Sequence, residues 1–294
     1  LKIVRYDGGK IGVVIKDFVY DVSSVVNAGN NDWPPTEMNR LIRDYGHLKQ
    51  KIEMLSKSSK PIPSKDVHLE TPVPWPNKLM AYPVNYYDHA KEMSSTGFAN
   101  IQGYFLKASS SLSGASEPII LPNVKGREIH HECELAVVIG KEGRSISVDD
   151  AMSYIFGYSC LLDITVRGKE ERVFRKSYDT FTPVGPWIIT ADEIQNPSQL
   201  QMKLWINGQL RQNANTRDLI VGIAEMISLA SSVSTLYPGD LIATGTPAGV
   251  GPIFDGDTVV IEIESVGRME IPVKQGTVGN NYLFEKPYEF KAAK

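Results

Sequence analysis

His131-Glu132-Cys133-Glu134-Leu135-Ala136-Val137-Val138-Ile139-Gly140 is the stretch on which the reading of this chain turns. Its tail, LAVVIG, is a continuous apolar run closed by glycine, the pattern of a buried strand. Alternate residues of a strand share a face, so Glu132 and Glu134 project together. Two neighbouring carboxylates repel each other and lose hydration on burial, so they require a compensating cation, which a hard divalent ion supplies. A third oxygen donor stands at Asp163, in the strand-like run Tyr158-Ser159-Cys160-Leu161-Leu162-Asp163-Ile164-Thr165. An acid there is costly without a partner or a metal. Three carboxylates with no thiolate suit Mg2+ or Mn2+ with waters better than tetrahedral zinc. An E-x-E on a strand is more often a solvated face or a salt-bridge partner, so its spacing alone does not decide the point.

Outward from this stretch the chain is dominated by short β-like runs punctuated by glycine and proline: Leu135 to Ile139, Ser159 to Ile164, Pro186 to Thr190, Gln201 to Ile206 and Thr258 to Glu264. Few helices interrupt them. The clearest spans Thr216 to Val233, with Thr216 as N-cap and Leu219, Ile220, Ile223, Met226, Ile227 and Ala230 as its apolar stripe. A shorter one follows Ser147. Without regular βαβ alternation this predicts a mainly β, α+β architecture with accessory helices: a roll, sandwich or barrel. Residues 1–70 read as a small N-terminal α+β unit, with strands at Lys2 to Arg5, Ile11 to Ile15 and Phe18 to Asp21 and a helix after Thr36. The polar, proline-bearing Ser56 to Ser64 reads as a linker, and residues 71–294 as the second, larger unit.

Composition excludes several classes. At 294 residues and 42% hydrophobic, the chain buries a full core without a disulfide scaffold. Its 2 cysteines, Cys133 and Cys160, form no CxxC pair. With 31 basic and 34 acidic side chains and no long basic block, it carries no nucleic-acid footprint. No run has the ~20 apolar residues of a membrane span, and the N-terminus lacks the apolar core of a signal peptide. A cytoplasmic protein is expected.

Three further segments carry possible chemistry. In Asn85-Tyr86-Tyr87-Asp88-His89-Ala90-Lys91-Glu92, a helix would place His89 and Glu92 at i and i+3, so that the carboxylate orients an imidazole able to act as a base on water. A surface helix with an incidental pair is the commoner outcome. Lys176 precedes the constrained run Thr182-Pro183-Val184-Gly185-Pro186-Trp187, where it could polarise a carbonyl or neutralise a carboxylate. The loop Gly239 to Gly251 could offer backbone N–H groups and a hydroxyl to an anion. It lacks the lysine of a phosphate loop. His130 and His131 read as supporting or structural, and His47 and His68 have no supporting neighbours.

In this order, these segments resemble the fumarylacetoacetate hydrolase family. The match runs from about Trp75 to Val273: NYxxHxxE at Asn85 to Glu92, FLK at Phe105 to Lys107, E-x-E at Glu132 and Glu134, DxTxR at Asp163 to Arg167, KSxDTFxPxGPW at Lys176 to Trp187, and GDLIxTGTPAGVG at Gly239 to Gly251. The resemblance implies a mixed β-sandwich roll, a homodimer, and Mg2+ or Mn2+ on Glu132, Glu134 and Asp163. It implies His89, oriented by Glu92, as the base, with Lys176 as a catalytic partner. Substrate contacts would come from Lys107, Arg167, Glu170 and Thr246. The expected activity is hydrolysis of a carbon-carbon bond in a small anionic 2,4-dioxo acid of the acylpyruvate type. Decarboxylation of oxaloacetate, isomerisation or hydration of 2-oxo-enoic diacids, and non-catalytic ligand binding are the alternatives. Two departures stand out. Arg167-Gly168-Lys169-Glu170 replaces the family's arginine, aspartate, any residue, glutamine, and an ionised Glu170 only accepts hydrogen bonds. Pro83 stands where a glycine is common.

Overall fold

The computed structural model describes residues 1–29, 33–93, 97–124 and 126–277. The strand Cys133–Ile139 lies at its centre and is buried at every position. Cys133, Leu135, Val137 and Ile139 enter the main apolar core, while Val138 enters a second core on the opposite face. Coverage on both faces is why this run is continuously apolar instead of alternating. The strand pairs antiparallel with Ile155–Leu162, from Cys133 opposite Leu162, and with Leu241–Ala243. The sheet continues through Thr182–Thr190 to Lys2–Tyr6, Lys10–Ile15 and Phe18–Asp21 on one side, and through Leu79–Ala81 to Phe105–Leu106 on the other. Gly157 permits the close approach of Ile155–Leu162 to Thr182–Thr190, because a Cβ there would stand 2.2 Å from the Ile189 carbonyl oxygen.

A second sheet orders Gln209–Asn215, Gln201–Ile206, Thr258–Ile263, Gly267–Gln275 and Ile119–Leu121. Its Met202, Leu204, Val259, Ile261 and Ile271 share the main core with the odd-numbered residues of Cys133–Ile139. On the other face, the helix Glu37–Ser58 lays Met38, Leu41, Ile42 and Ile52 against Ile3, Ile11, Val13 and Ile188. The result is the mainly β architecture with accessory helices that the sequence predicts. Both cysteines are buried and free. No described helix is long and apolar enough to cross a membrane.

Two local expectations change, those for Ser56 to Ser64 and for the helix at Thr216. The first 70 residues are hydrogen-bonded into the central sheet, through Lys2 opposite Ile189 and Ile3 opposite Ile188, so no break in the sheet marks residue 70. The stretch Ser56 to Ser64 is not a free linker. The helix runs to Ser58, and Pro61–Pro63 pairs with Phe18–Asp21 at the sheet edge, where proline's missing N–H is tolerated. The later helix begins at Ile223 behind Gly222, not at Thr216. Thr216 opens a 3-10 turn, and its hydroxyl accepts from Leu200 N–H and donates to the Pro197 carbonyl. Ile220 and Val221 instead direct their N–H groups to Asn85, so helical spacing there mimics a helix that tertiary bonds replace. Residues 278–294 of the expected second unit lie outside the described residues.

Candidate active site

Strand parity delivers the carboxylates. Glu134 lies on the face of Cys133–Ile139 opposite the main core, and Glu132 precedes the strand by one residue. Asp163 directly follows Ile155–Leu162 and is tied across by Asp163 N–H to the Glu132 carbonyl at 3.0 Å. One oxygen from each of Glu132, Glu134 and Asp163 falls within 4.8 Å of the others, and all three residues are buried. Such a set cannot remain fully ionised unaided. Burial opposes ionisation of Glu132, but Lys176 and Arg167 override it and hold its carboxyl down at about 2. Burial, with the charges of Asp163 and Glu132, pushes Glu134 well above the usual carboxylate range. Among the described residues its side chain accepts one hydrogen bond, from Gly245 N–H at 2.7 Å. Three buried carboxylates offering oxygen donors alone are the chemistry of a hard divalent cation.

Two lysines answer part of the charge. Lys176 Nζ donates to Glu132 Oε2 and Asp163 Oδ2, both at 2.7 Å. Burial works against its charge, yet Asp163 and Glu132 raise its pKa above the ordinary value. Lys107 Nζ donates to Asp163 Oδ1 at 2.5 Å and to the Phe181 carbonyl at 3.0 Å, and burial leads the lowering of its pKa.

The helix Tyr87–Glu92 carries the imidazole. His89 is 5% exposed, and its Nδ1 stands 3.2 Å from Glu92 Oε2. Glu92 Oε1 accepts from Gly249 N–H at 3.1 Å, which ties the helix to the glycine-rich loop. That loop therefore spends two of its N–H groups on carboxylates of the protein. Gly245 and Gly249 hold φ of 96° and 95°, and a Cβ at Gly249 would stand 2.0 Å from the Arg211 carbonyl oxygen. Only glycine suits such positions. The fully buried Asn85 pins the start of the helix segment. Its Nδ2 donates to the Val221 and Thr244 carbonyls, and its Oδ1 accepts from Val221 N–H. Behind Pro83, Val84 takes a left-handed φ of 50°, a strained conformation for a β-branched residue.

A cavity of about 90 Å³ joins these groups, lined by Glu132, Glu134, Asp163, His89, Lys176, Arg167 and Thr246 together with Tyr82, Phe105, Arg172 and Arg175 among others. This is several times the ~10–15 Å³ that one water needs, so it admits a small ligand. Wider depressions, of about 430 and 460 Å³, lie beside Arg217 and beside the helix Glu37–Ser58, but neither gathers a comparable set of titratable groups.

Of the expected substrate contacts, Arg167 and Thr246 line the cavity; Lys107 lies behind Asp163. Glu170 is not brought to the lining. It pairs with Arg127 at 2.6 Å, and Gly168 leaves room for that pair, since a Cβ there would stand 2.1 Å from Glu170 Oε2. Arg167 Nε donates to His130 Nδ1 at 2.8 Å, and its guanidinium lies 3.7 Å from Glu132. His131 is structural: buried, with Nδ1 3.2 Å from Gln212 Oε1.

Sequence reasoning missed Gln212, Arg172 and Arg175. The buried Gln212 accepts from Cys133 N–H at 2.9 Å and donates to Thr246 Oγ1 and the Pro247 carbonyl, both at 2.8 Å. Nothing in the polar run around Gln212 marks it. For the arginines a signal exists: Arg172, Arg175 and Lys176 stand at i, i+3 and i+4, which puts them on one face of the helix Arg172–Lys176.

Comparison with known proteins follows the same lines. The family described as fumarylacetoacetate (FAA) hydrolase C-terminal matches residues 78–274. A maleylpyruvate hydrolase of Aquipseudomonas alcaligenes is 43% identical over 286 residues, covering 93% of this chain and 99% of that protein. The mitochondrial oxaloacetate tautomerase FAHD2B of Homo sapiens is 34% identical, over 82% of this chain and 81% of its own length. The crystal structure of maleylpyruvate hydrolase from Sphingobium sp. SYK-6, in complex with manganese(II) and pyruvate, superposes with a TM-score of 0.87 at 52% identity, covering 94% of this chain and 100% of that one.

Proposed function

The chain belongs to the fumarylacetoacetate hydrolase family, and on that premise we infer that it is a divalent-metal-dependent hydrolase cleaving the carbon-carbon bond between the pyruvate and acyl halves of an acylpyruvate. The observation that carries this reading is the opening of His89 and the three-carboxylate cluster onto one cavity. Glu132, Glu134 and Asp163 would hold Mg2+ or Mn2+. When bound, the ion supplies a Lewis acid that draws negative charge toward the 2-oxo group of the substrate.

The side chains perform the rest. Lys176 fixes Glu132 and Asp163 against each other, and Lys107 holds Asp163 from behind. With its Nδ1 proton on Glu92, His89 presents its other nitrogen as a base. It takes a proton from water as the water oxygen bonds to the distal carbonyl carbon. The electron pair of the breaking carbon-carbon bond passes to the pyruvate half, and the proton held on His89 is delivered to that carbon. One water is consumed, and the products are pyruvate and the freed carboxylic acid. Thr246 accepts from Gln212, which leaves its own hydroxyl proton for the substrate carboxylate. Residues 71–294 carry this chemistry, and the reading extends to a cytoplasmic homodimer, which light scattering on the full chain tests.

A steady-state screen of acylpyruvates, oxaloacetate and 2-oxo-enoic diacids with Mg2+ and Mn2+ tests the activity. Acylpyruvate hydrolysis is expected to dominate; turnover of oxaloacetate alone would sink the hydrolase reading. Gln212→Leu, which releases the Thr246 hydroxyl to other partners, should raise KM for an acylpyruvate about tenfold with a smaller change in kcat. It also strips the Cys133 N–H of its acceptor and should cost about 1–3 kcal/mol of stability, read by denaturant unfolding. An unchanged KM would remove Gln212 and Thr246 from carboxylate binding.

A further inference from the structure

We propose that His130 is a positioning residue: it holds the Arg167 guanidinium short of Glu132 and so keeps one Glu132 oxygen open to the divalent ion. This rests on the metal-site reading above and adds to it a residue outside the cavity lining.

The backbone brings the pair together. The strands Ile129–His131 and Thr165–Val166 run antiparallel, with His130 opposite Thr165. Arg167 follows Thr165 by two residues, so by parity its side chain rises on the side of the ribbon that carries His130. Arg167 N–H donates to the Glu128 carbonyl at 2.8 Å, and Arg127 donates to the Arg167 carbonyl at 2.8 Å, which fixes the backbone from both sides. The side chain is tethered through Nε, which donates to His130 Nδ1 at 2.8 Å. A guanidinium only donates, so Nδ1 must accept and the ring proton sits on Nε2. That nitrogen donates to Glu128 Oε2 at 2.8 Å, and the carboxylate thereby holds the ring in the tautomer that can receive Arg167.

The tether matters because of where the guanidinium stops. Arg167 Nη1 stands 3.7 Å from Glu132 Oε1, beyond hydrogen-bond reach. Lys176 Nζ already occupies Glu132 Oε2 at 2.7 Å, so Oε1 is the oxygen left for an ion. A shift of the guanidinium by about 1 Å would make a charge-assisted bond to Oε1 and put a second cation on the same carboxylate. Glu132 is buried and Arg167 largely so, which leaves little water to oppose that closure. With Nε bonded to His130 the guanidinium is held in the cavity wall instead. Without His130, Arg167 would compete with the metal for Glu132.

H130L removes the acceptor, whereas H130N keeps one, because an amide oxygen can stand where Nδ1 stands. E128A, at an exposed position, loosens the ring without touching the core. Mn2+ affinity is measured by calorimetry for these variants, for R167Q, and for R167Q combined with each of H130L and E128A, with thermal unfolding followed to confirm an intact fold. H130L should weaken Mn2+ binding about ten- to a hundredfold. E128A should lose less in the same direction, and H130N should recover most of the loss. In the R167Q background H130L and E128A should cost little, because nothing remains to close on Glu132. A merely structural role would weaken the metal whatever stands at 167, so an undiminished loss in the R167Q background overturns the proposal, as does wild-type affinity in H130L. Hydrolysis of an acylpyruvate is followed in parallel. If none is hydrolysed while the Mn2+ pattern holds, the hydrolase reading fails and the positioning role of His130 stands.

Discussion

Replacing Glu134 with glutamine is expected to abolish stabilisation by Mn2+ while leaving the metal-free protein at least as stable as wild type. The two effects share one cause. Glu134 stands within 4.8 Å of two other buried carboxylates and, among the described residues, has a single backbone N–H, that of Gly245, as its hydrogen-bond partner. Glutamine keeps an oxygen to accept that bond and is neutral without taking up a proton, so the metal-free state no longer bears the cost of holding Glu134 protonated beside two other carboxylates and loses no hydrogen bond. The metal-bound state loses an anionic donor that a hard cation needs. At a Mn2+ concentration about 100 times Kd, linkage stabilises the wild type by about 2.7 kcal/mol, which raises Tm by about 4 °C for a chain of this size. Glu134→Gln should show no such rise. Acylpyruvate hydrolysis should fall by a thousandfold or more, because several kcal/mol of transition-state charge stabilisation go with the ion. A full Mn2+ shift in the variant would mean that these carboxylates are not the metal site. Scanning calorimetry with and without Mn2+ reads all of the stability terms in one experiment.

The centre of this fold was legible because its residues follow a local rule. Buried on both faces, Cys133–Ile139 has to be apolar throughout, and the two glutamates had to share a face by parity. Legibility failed where tertiary bonds replaced local ones. Thr216 to Ile220 carry helical spacing, but their polar groups bond to Leu200, Pro197 and Asn85, residues distant in sequence. Ser56 to Ser64 looked like a linker because serine, lysine and proline dominate it, and composition cannot show that an edge strand waits to pair with Pro61–Pro63.

In the site, the residues that hold charge were visible and those that hold the holders were not. A carboxylate on a strand contradicts its surroundings and is noticed. Gln212 contradicts nothing in its own polar run, and its role appears only when Cys133, His131 and Thr246 converge on one amide. Glu170 illustrates the reverse case. The motif position suggested a substrate contact, but substitution of the neutral residue by an acid gave it a closer partner in Arg127, with Gly168 supplying the space.

His89→Ala is expected to reduce hydrolysis of an acylpyruvate by about 10²–10⁴-fold while preserving the Mn2+-dependent rise in Tm. The separation of the two readouts follows from the geometry. His89 lies outside the group of carboxylate oxygens and reaches the rest of the protein through Glu92, which in turn accepts from Gly249 N–H. Removing the imidazole takes away a proton acceptor and leaves the donor set of Glu132, Glu134 and Asp163 intact. In the proposed mechanism the pyruvate end is bound through that set and Thr246, so KM should change little and the loss should fall on kcat. Free imidazole added to His89→Ala should restore part of the rate, since the truncation opens space in a cavity that already admits a small ligand. Glu92→Gln keeps an acceptor for His89 Nδ1 but removes the charge that favours imidazolium during proton transfer, so its loss should be smaller than that of His89→Ala. Single-turnover measurement of pyruvate release decides the assignment. Full rate in His89→Ala would show that another group activates the water, and loss of the Mn2+ shift would show that His89 supports the metal instead.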